Sequence, residues 1–158
     1  GTRAGAQETS FEEETVIDLF AEQAFGALLI SSMLSCYEVL AEAGYNPDLI
    51  YTELAGSGEM AEVVGLMSRI GVTRQLWHHS QVSNYGQLSR ALRLQREGTF
   101  DRLAETLREI RDGSFAREWA SEQQAGYPGM HRLHQEVRRS SWFEVEDRYL
   151  TSDEEGGQ

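Results

Sequence analysis

The sequence predicts an all-α domain, and three observations carry that reading. Apolar residues recur at helical spacing through most of the 158 residues. No stretch of useful length alternates apolar and polar residues as a strand would, and no internal repeat is present. Helix start and stop signals punctuate the chain at Thr9-Ser10, at Gly44 with Asn46-Pro47, at Asp112-Gly113, and through Ala125-Gly126-Tyr127-Pro128-Gly129.

Taken in order, Gly1 to Ser10 is small and polar and reads as a lead-in strand or loop. Thr9 and Ser10 can cap a helix, and Glu12 to Glu14 suit its positive N-terminal end. The spacing of Leu19, Phe20, Ala24, Leu28, Met33, Tyr37 and Leu40 predicts a helix from about Thr15 to Ala43. Between Ala24 and Leu34 it is apolar on nearly every face, so it belongs at a domain centre or a subunit interface. A second helix is expected from about Pro47 towards Arg69, with a kink or close approach at Gly56-Ser57-Gly58. Trp77 to Gly86 reads as a polar, aromatic loop or short helix. Ser89 to Asp112 is amphipathic, residues 114–124 form another helix, and 130–150 a last one. The expected organisation is one helical domain over 1–150 and a disordered acidic tail over 151–158.

Composition narrows the function. Apolar residues make up 40% of the chain, enough for a packed core. Twenty-six acidic against 14 basic residues give a net charge of −12, which argues against nucleic acid and anionic membranes as partners. Every basic residue is Arg, so lysine Schiff-base chemistry is excluded. The single cysteine, Cys36, excludes an internal disulfide and reads as a small core residue. The longest unbroken apolar run, Ala24 to Ile30, is too short to span a bilayer, and no signal peptide opens the chain. A cytoplasmic protein is expected.

The sharpest chemical feature is Asp18 and Glu22, four apart on one helix face and leading into the apolar stretch. Both carboxylates are expected to face a sheltered region, where a hard divalent cation would relieve their repulsion. Such pairs are also common on solvated helices. Glu53 offers a third oxygen. His78 and His79, beside Trp77 and Ser80, form a second group, able to act as acid, base or ligand, or to sit on the surface. His131 and His134 read as structural. No G-x-G-x-x-G, P-loop, G-x-S-x-G or H-E-x-x-H is present.

Several segments together resemble the helical C-terminal domain of ketol-acid reductoisomerases. The opening, GTRAG followed by ETSFEEETVIDLFAEQ (Gly1–Gln23), resembles the passage from nucleotide domain to helical domain in that family. There the Asp and Glu of D-L-F-x-E bind two magnesium ions, which implies Asp18 and Glu22 as metal ligands. VLAEAGYNPDLIYTE (Val39–Glu53) resembles the segment with two further glutamates four apart. Glu53 matches the first. The second, which touches substrate in the family, falls on Ser57, a departure that enlarges the pocket and removes a charge. SQVSNYG (Ser80–Gly86) is similar to a segment whose serine contacts substrate, implying that role for Ser80. IRDGSFAREWASEQQAGYP (Ile110–Pro128) is similar to the family's late helix and turn, so the resemblance runs over about residues 1–148.

The resemblance implies a ketol-acid reductoisomerase-like helical bundle, intertwined with a second copy in a homodimer whose site draws on both subunits. The family reaction joins a magnesium-promoted alkyl shift to reduction by NADPH. The NADPH-binding half is lacking here, so no NADPH is expected. What is implied is a stand-alone, non-redox isomerase acting on a 2-oxo or 2-hydroxy carbonyl substrate. Mg2+ would be held by Asp18, Glu22 and Glu53, unless the Ser57 change has cost the site its metal. Glu53, Ser80 and His79 are the expected catalytic residues, with Ser57, Ser80, His78 and Trp77 lining a small-molecule substrate. Two other readings stand beside it: a metal-independent cyclase of natural-product biosynthesis using the helical cavity, and a non-catalytic dimeric binding module. A severed piece of a complete reductoisomerase is disfavoured by Ser57.

Overall fold

The computed structural model describes residues 6–156, all helices and connections, with no strand among the described residues. The first five residues of the expected lead-in lie outside them, and residues 6–10 carry no regular structure.

Helix α1 (Phe11–Phe20) starts earlier than the spacing indicated, because Ser10 caps it by accepting from the Glu13 N–H at 3.0 Å. It passes through a π-helical turn, Ala21–Gly26, into α2 (Ala27–Glu42). The three form one helical run, Phe11–Glu42, of 32 residues, long and apolar enough to cross a membrane by length and composition. Judging reach from the unbroken apolar run alone understated it, since isolated polar residues do not stop an apolar helix. In a single chain this run is mostly open. Ile30 is 57% exposed and Phe25 68%, so the domain-centre reading does not hold. Cys36 is exposed as well, not a core residue: α2 turns only the Tyr37 face inward.

After Gly44, Asn46 caps α3 (Pro47–Tyr51), which continues as a π-helical turn, Thr52–Gly56. The expected second helix is then broken rather than kinked. Gly58 takes φ 74°, a left-handed conformation that glycine adopts without a Cβ clash, and α4 (Glu59–Ile70) sets off afresh. A short α5 (Val72–Gln75) and a 3-10 turn, Leu76–His78, lead to α6 (Gln81–Leu94). The expected helix over Ser89–Asp112 is also two helices. Gly98, at φ 97°, separates α6 from α7 (Phe100–Arg111). Helix α8 (Ser114–Ala125) matches the expected span closely. The expected last helix divides as well, into α9 (Pro128–Val137) and α10 (Trp142–Gly156), with Ser140 Oγ accepting from the Trp142 N–H at 3.4 Å. Helix α10 therefore runs beyond residue 150 to Gly156.

The buried core is small and local. Tyr37 from α2, Ile50 and Tyr51 from α3, and Trp142 and Val145 from α10 form it. Elsewhere α1 packs on α7, and α4 on α5. This core anchors the π turn that carries Glu53 against α10, while α1 and its carboxylates lie apart from it.

Candidate functional site

The residues singled out from sequence fall into three places in the single chain. Asp18 lines an open acidic groove of about 500 Å³ with Glu8, Glu13, Glu14 and Ile17. Asp18 and Glu22 are both exposed, which corrects the expectation of a sheltered pair. Glu22 itself lies in the first π-helical turn.

Glu53 lies in the second π turn and lines a cavity of about 310 Å³ with Glu59, Met60, Val63, His79, Ser83 and Gln87. π-helical turns are rare and occur often at functional sites. That two of the three implied ligands sit in such turns is independent of any spacing argument. The structure thus brings Glu53 and His79 to one pocket, whose lining is polar apart from Met60 and Val63. His79 is half-buried, and its Nε2 stands 2.9 Å from the Oε1 of Gln75. Gln75 is fully buried, 0% exposed, and its Nε2 has no hydrogen-bond partner. With the amide so placed, the His79 Nε2–H donates to Gln75 Oε1.

The rest of the implied site is more dispersed. Ser80 caps α6, its hydroxyl accepting from the Ser83 N–H at 3.2 Å, so part of its hydrogen-bonding capacity is structural. Ser57 is exposed and accepts from the Glu59 N–H at 3.3 Å. His78 is exposed on the 3-10 turn. Trp77, 81% exposed, lines a separate groove with Gln81, Asn84, Tyr85 and Leu88. Among the described residues, no three His, Cys, Asp or Glu side chains of one chain come close enough to hold a metal ion. Asp18 and Glu22 are therefore not joined by Glu53 within one chain.

Sequence reasoning missed Gln75, Glu59 and Ser83. The i,i+4 spacing of Gln75 and His79 was the available signal, but polar pairs at that spacing are commonplace. Glu59 depends on the break at Gly58, which turns α4 back towards α6.

Comparison with known proteins agrees in extent with this architecture. The family described as "Ketol-acid reductoisomerase, C-terminal domain" matches residues 11–151. The chain is 38% identical over 130 residues to a putative ketol-acid reductoisomerase 3 of Saccharolobus solfataricus, covering 79% of this chain and 38% of that protein. It is 38% identical over 134 residues to a ketol-acid reductoisomerase (NADP(+)) of Saccharopolyspora erythraea, covering 84% of this chain and 40% of that protein. Among solved structures it resembles an NADH-preferring ketol-acid reductoisomerase from an uncultured archean. The TM-score is 0.86 at 29% identity, covering 94% of this chain and 45% of that one. The chain spans about two fifths of the length of the curated relatives it matches. With a family match running from the first residue of α1 into α10, the chain belongs to the ketol-acid reductoisomerase C-terminal domain family.

Proposed function

We propose that this domain is the metal-binding, isomerising part of a ketol-acid reductoisomerase-type enzyme, acting in the cytoplasm on a 2-oxo or 2-hydroxy carbonyl compound without redox chemistry. The observation that carries the reading is the placement of Glu22 and Glu53 in two of the three π-helical turns among the described residues, the third being Gln95–Thr99, with Asp18 one turn before Glu22. The donors are carboxylate oxygens, the kind a hard divalent cation such as Mg2+ prefers. One chain supplies Asp18 and Glu22 at one place and Glu53 at another. The reading therefore needs a second copy, whose Glu53 completes the set in a homodimer.

When bound, magnesium supplies Lewis-acid polarisation of a carbonyl oxygen. The chain's own residues do the rest. Asp18 and Glu22 hold the cation. His79, oriented by Gln75, moves a proton between its Nδ1 and a substrate hydroxyl. Ser80 donates its hydroxyl hydrogen to a substrate oxygen while its own oxygen caps α6. With no dinucleotide fingerprint in these residues, the reading assigns no NADPH to this chain.

Calorimetric titration of magnesium into wild type and Asp18→Asn tests the reading. Saturable binding by wild type and loss of about tenfold or more in affinity for the variant is expected, since even outer-shell changes commonly cost that much. Heat that is indistinguishable between the two proteins would sink it.

A metal-independent cyclase is the second reading. It is favoured by Ser57 where the family has a carboxylate, and by an apolar cavity of about 520 Å³ between α2, α6 and α7, lined by Leu28, Leu88, Leu92, Phe100 and Leu103. Such a cavity would work by folding a flexible substrate into a reactive conformation. Turnover undiminished in excess EDTA separates it from the magnesium reading.

A further inference from the structure

Helix α10 reaches across the chain to the π turn that carries Glu53. Arg148 Nη2 lies 2.5 Å from Asp48 Oδ1. The ring of Tyr149 lies 4.8 Å from that of Tyr51, and its hydroxyl is hydrogen-bonded to Thr52 Oγ1. Counting protons fixes the direction of that last bond. The single hydroxyl proton of Thr52 goes to the Asp48 carbonyl oxygen at 2.8 Å, so Tyr149 O–H is the donor.

Thr52 is also the residue on which the π turn closes. Its carbonyl oxygen accepts from the Ser57 N–H at 2.9 Å, five residues ahead, the bond that distinguishes a π from an α turn. Thr52 is therefore held by its side chain to α10 and α3, and by its carbonyl to Ser57. Gly56 completes the arrangement. A Cβ there would stand 3.2 Å from Tyr51 Cε1 and 3.3 Å from Tyr149 Cε1, so only glycine lets the two rings close over the turn without moving them.

We propose that Tyr149 is a positioning residue whose hydroxyl, through Thr52, holds the Thr52–Gly56 turn in its π register and so sets where Glu53 and Ser57 stand. Relaxation of the turn to α geometry would shift the register by one residue, a rotation of about 100° about the helix axis. Glu53 and Ser57 would then no longer hold their present relation to His79 and α6. The consequence for magnesium rests on the functional reading above; the structural clamp does not.

The test is Tyr149→Phe, which keeps the ring and removes the hydroxyl, read by residue-resolved hydrogen exchange and by magnesium calorimetry. Amides 53–57 are expected to exchange about tenfold faster while those of α4 are unchanged. The magnesium Kd is expected to rise about tenfold, as for loss of an outer-shell contact. Thr52→Val, which removes the acceptor, should reproduce both effects, and the double variant should be no worse than either single one. It also serves if Tyr149→Phe fails to fold. Exchange at 53–57 that stays in step with α4 in both variants overturns the proposal, whatever magnesium does. A wild type that binds no magnesium counts against the metal reading alone, and the exchange comparison then decides the clamp.

Discussion

The ring of Tyr37 meets the indole of Trp142 edge-on, with centroids 5.5 Å apart and planes at 82°. This contact joins the long first helical run to the last helix, 105 positions later in the chain, and it sits at the centre of the small buried core. On the other side the same indole lies 4.8 Å from Tyr51, the residue before the π turn. One tryptophan thus fixes α2, α3 and α10 together and sets the base on which Glu53 stands.

Trp142→Ala is expected to cost about 3–5 kcal/mol of stability, the usual range for removing a buried large aromatic side chain. Denaturant titration monitored by circular dichroism measures it. With so few other buried residues the core has little to fall back on, and a loss under about 1 kcal/mol would contradict the central role of this contact.

Ser57→Glu tests the departure from the family pattern directly. A carboxylate one turn beyond Glu53 adds charge to the implied donor set, and magnesium affinity follows ligand charge. The expected gain is about tenfold in Kd, equal to ~1.4 kcal/mol. Unchanged affinity would show that position 57 lies outside the metal's reach in this chain.

Glu122 caps α9 from α8. Its Oε1 accepts from the Gly129 N–H at 3.1 Å and its Oε2 from the Met130 N–H at 3.0 Å. Both bonds answer backbone donors that the start of a helix leaves open. Glu122→Ala should cost about 1–2 kcal/mol, at the upper side of cap removals. Gly129→Ala should destabilise as well, because a Cβ would lie 2.5 Å from Glu122 Oε1 and would push that carboxylate off its two cap bonds. Thermal unfolding of both variants is the measurement.

Asp112 ends α7 and holds Ser114 at the start of α8. Hydrogen bonds from the Ser114 hydroxyl, at 2.6 Å, and from its backbone N–H, at 2.8 Å, hold the carboxyl below its ordinary value of 3.8. A pKa depressed in the folded state means a contribution that is complete above 3.8 and disappears as pH falls through the folded value. Ser114→Ala removes the larger cause, so the Asp112 titration followed by NMR should move up towards 3.8 while one backbone bond keeps part of the shift. No movement would mean that the serine hydroxyl is not the cause.

Helix boundaries set by local chemistry were legible in the sequence. Asn46-Pro47, Asp112-Gly113 and the Gly126-Tyr127-Pro128 turn fall where the structure has them, because caps and left-handed glycines act within a few residues. At Gly56-Ser57-Gly58 the sequence indicated a kink where the helix breaks outright, and the breaks at Gly98 and Ser140 were not read because helical spacing continues across them, although Gly98, like Gly58, takes a left-handed φ. The exposure of Asp18, Glu22 and Cys36 was not legible either. Periodicity says that a face is apolar, but not whether the same chain or another covers it.

That uncovered face supports the last prediction. Phe25, Leu28, Leu29 and Ile30 are exposed along one helical run of a chain whose charge is −12. Contiguous apolar surface of this kind marks an interface in a soluble protein. The same run also has the length and composition to cross a membrane. A homodimer predicts that the thermal midpoint rises with protein concentration, because association stabilises the folded form by mass action. It also predicts that Leu29→Asp lowers the sedimentation coefficient to that of a monomer and weakens folding, because the buried core of one chain is small. A membrane helix predicts neither. It predicts that wild type floats with liposomes at any protein concentration, and flotation with no concentration dependence would reject the dimer. Since Glu53 of one chain does not reach Asp18 and Glu22 of the same chain, the Leu29→Asp monomer should also lose magnesium binding with every carboxylate still in place.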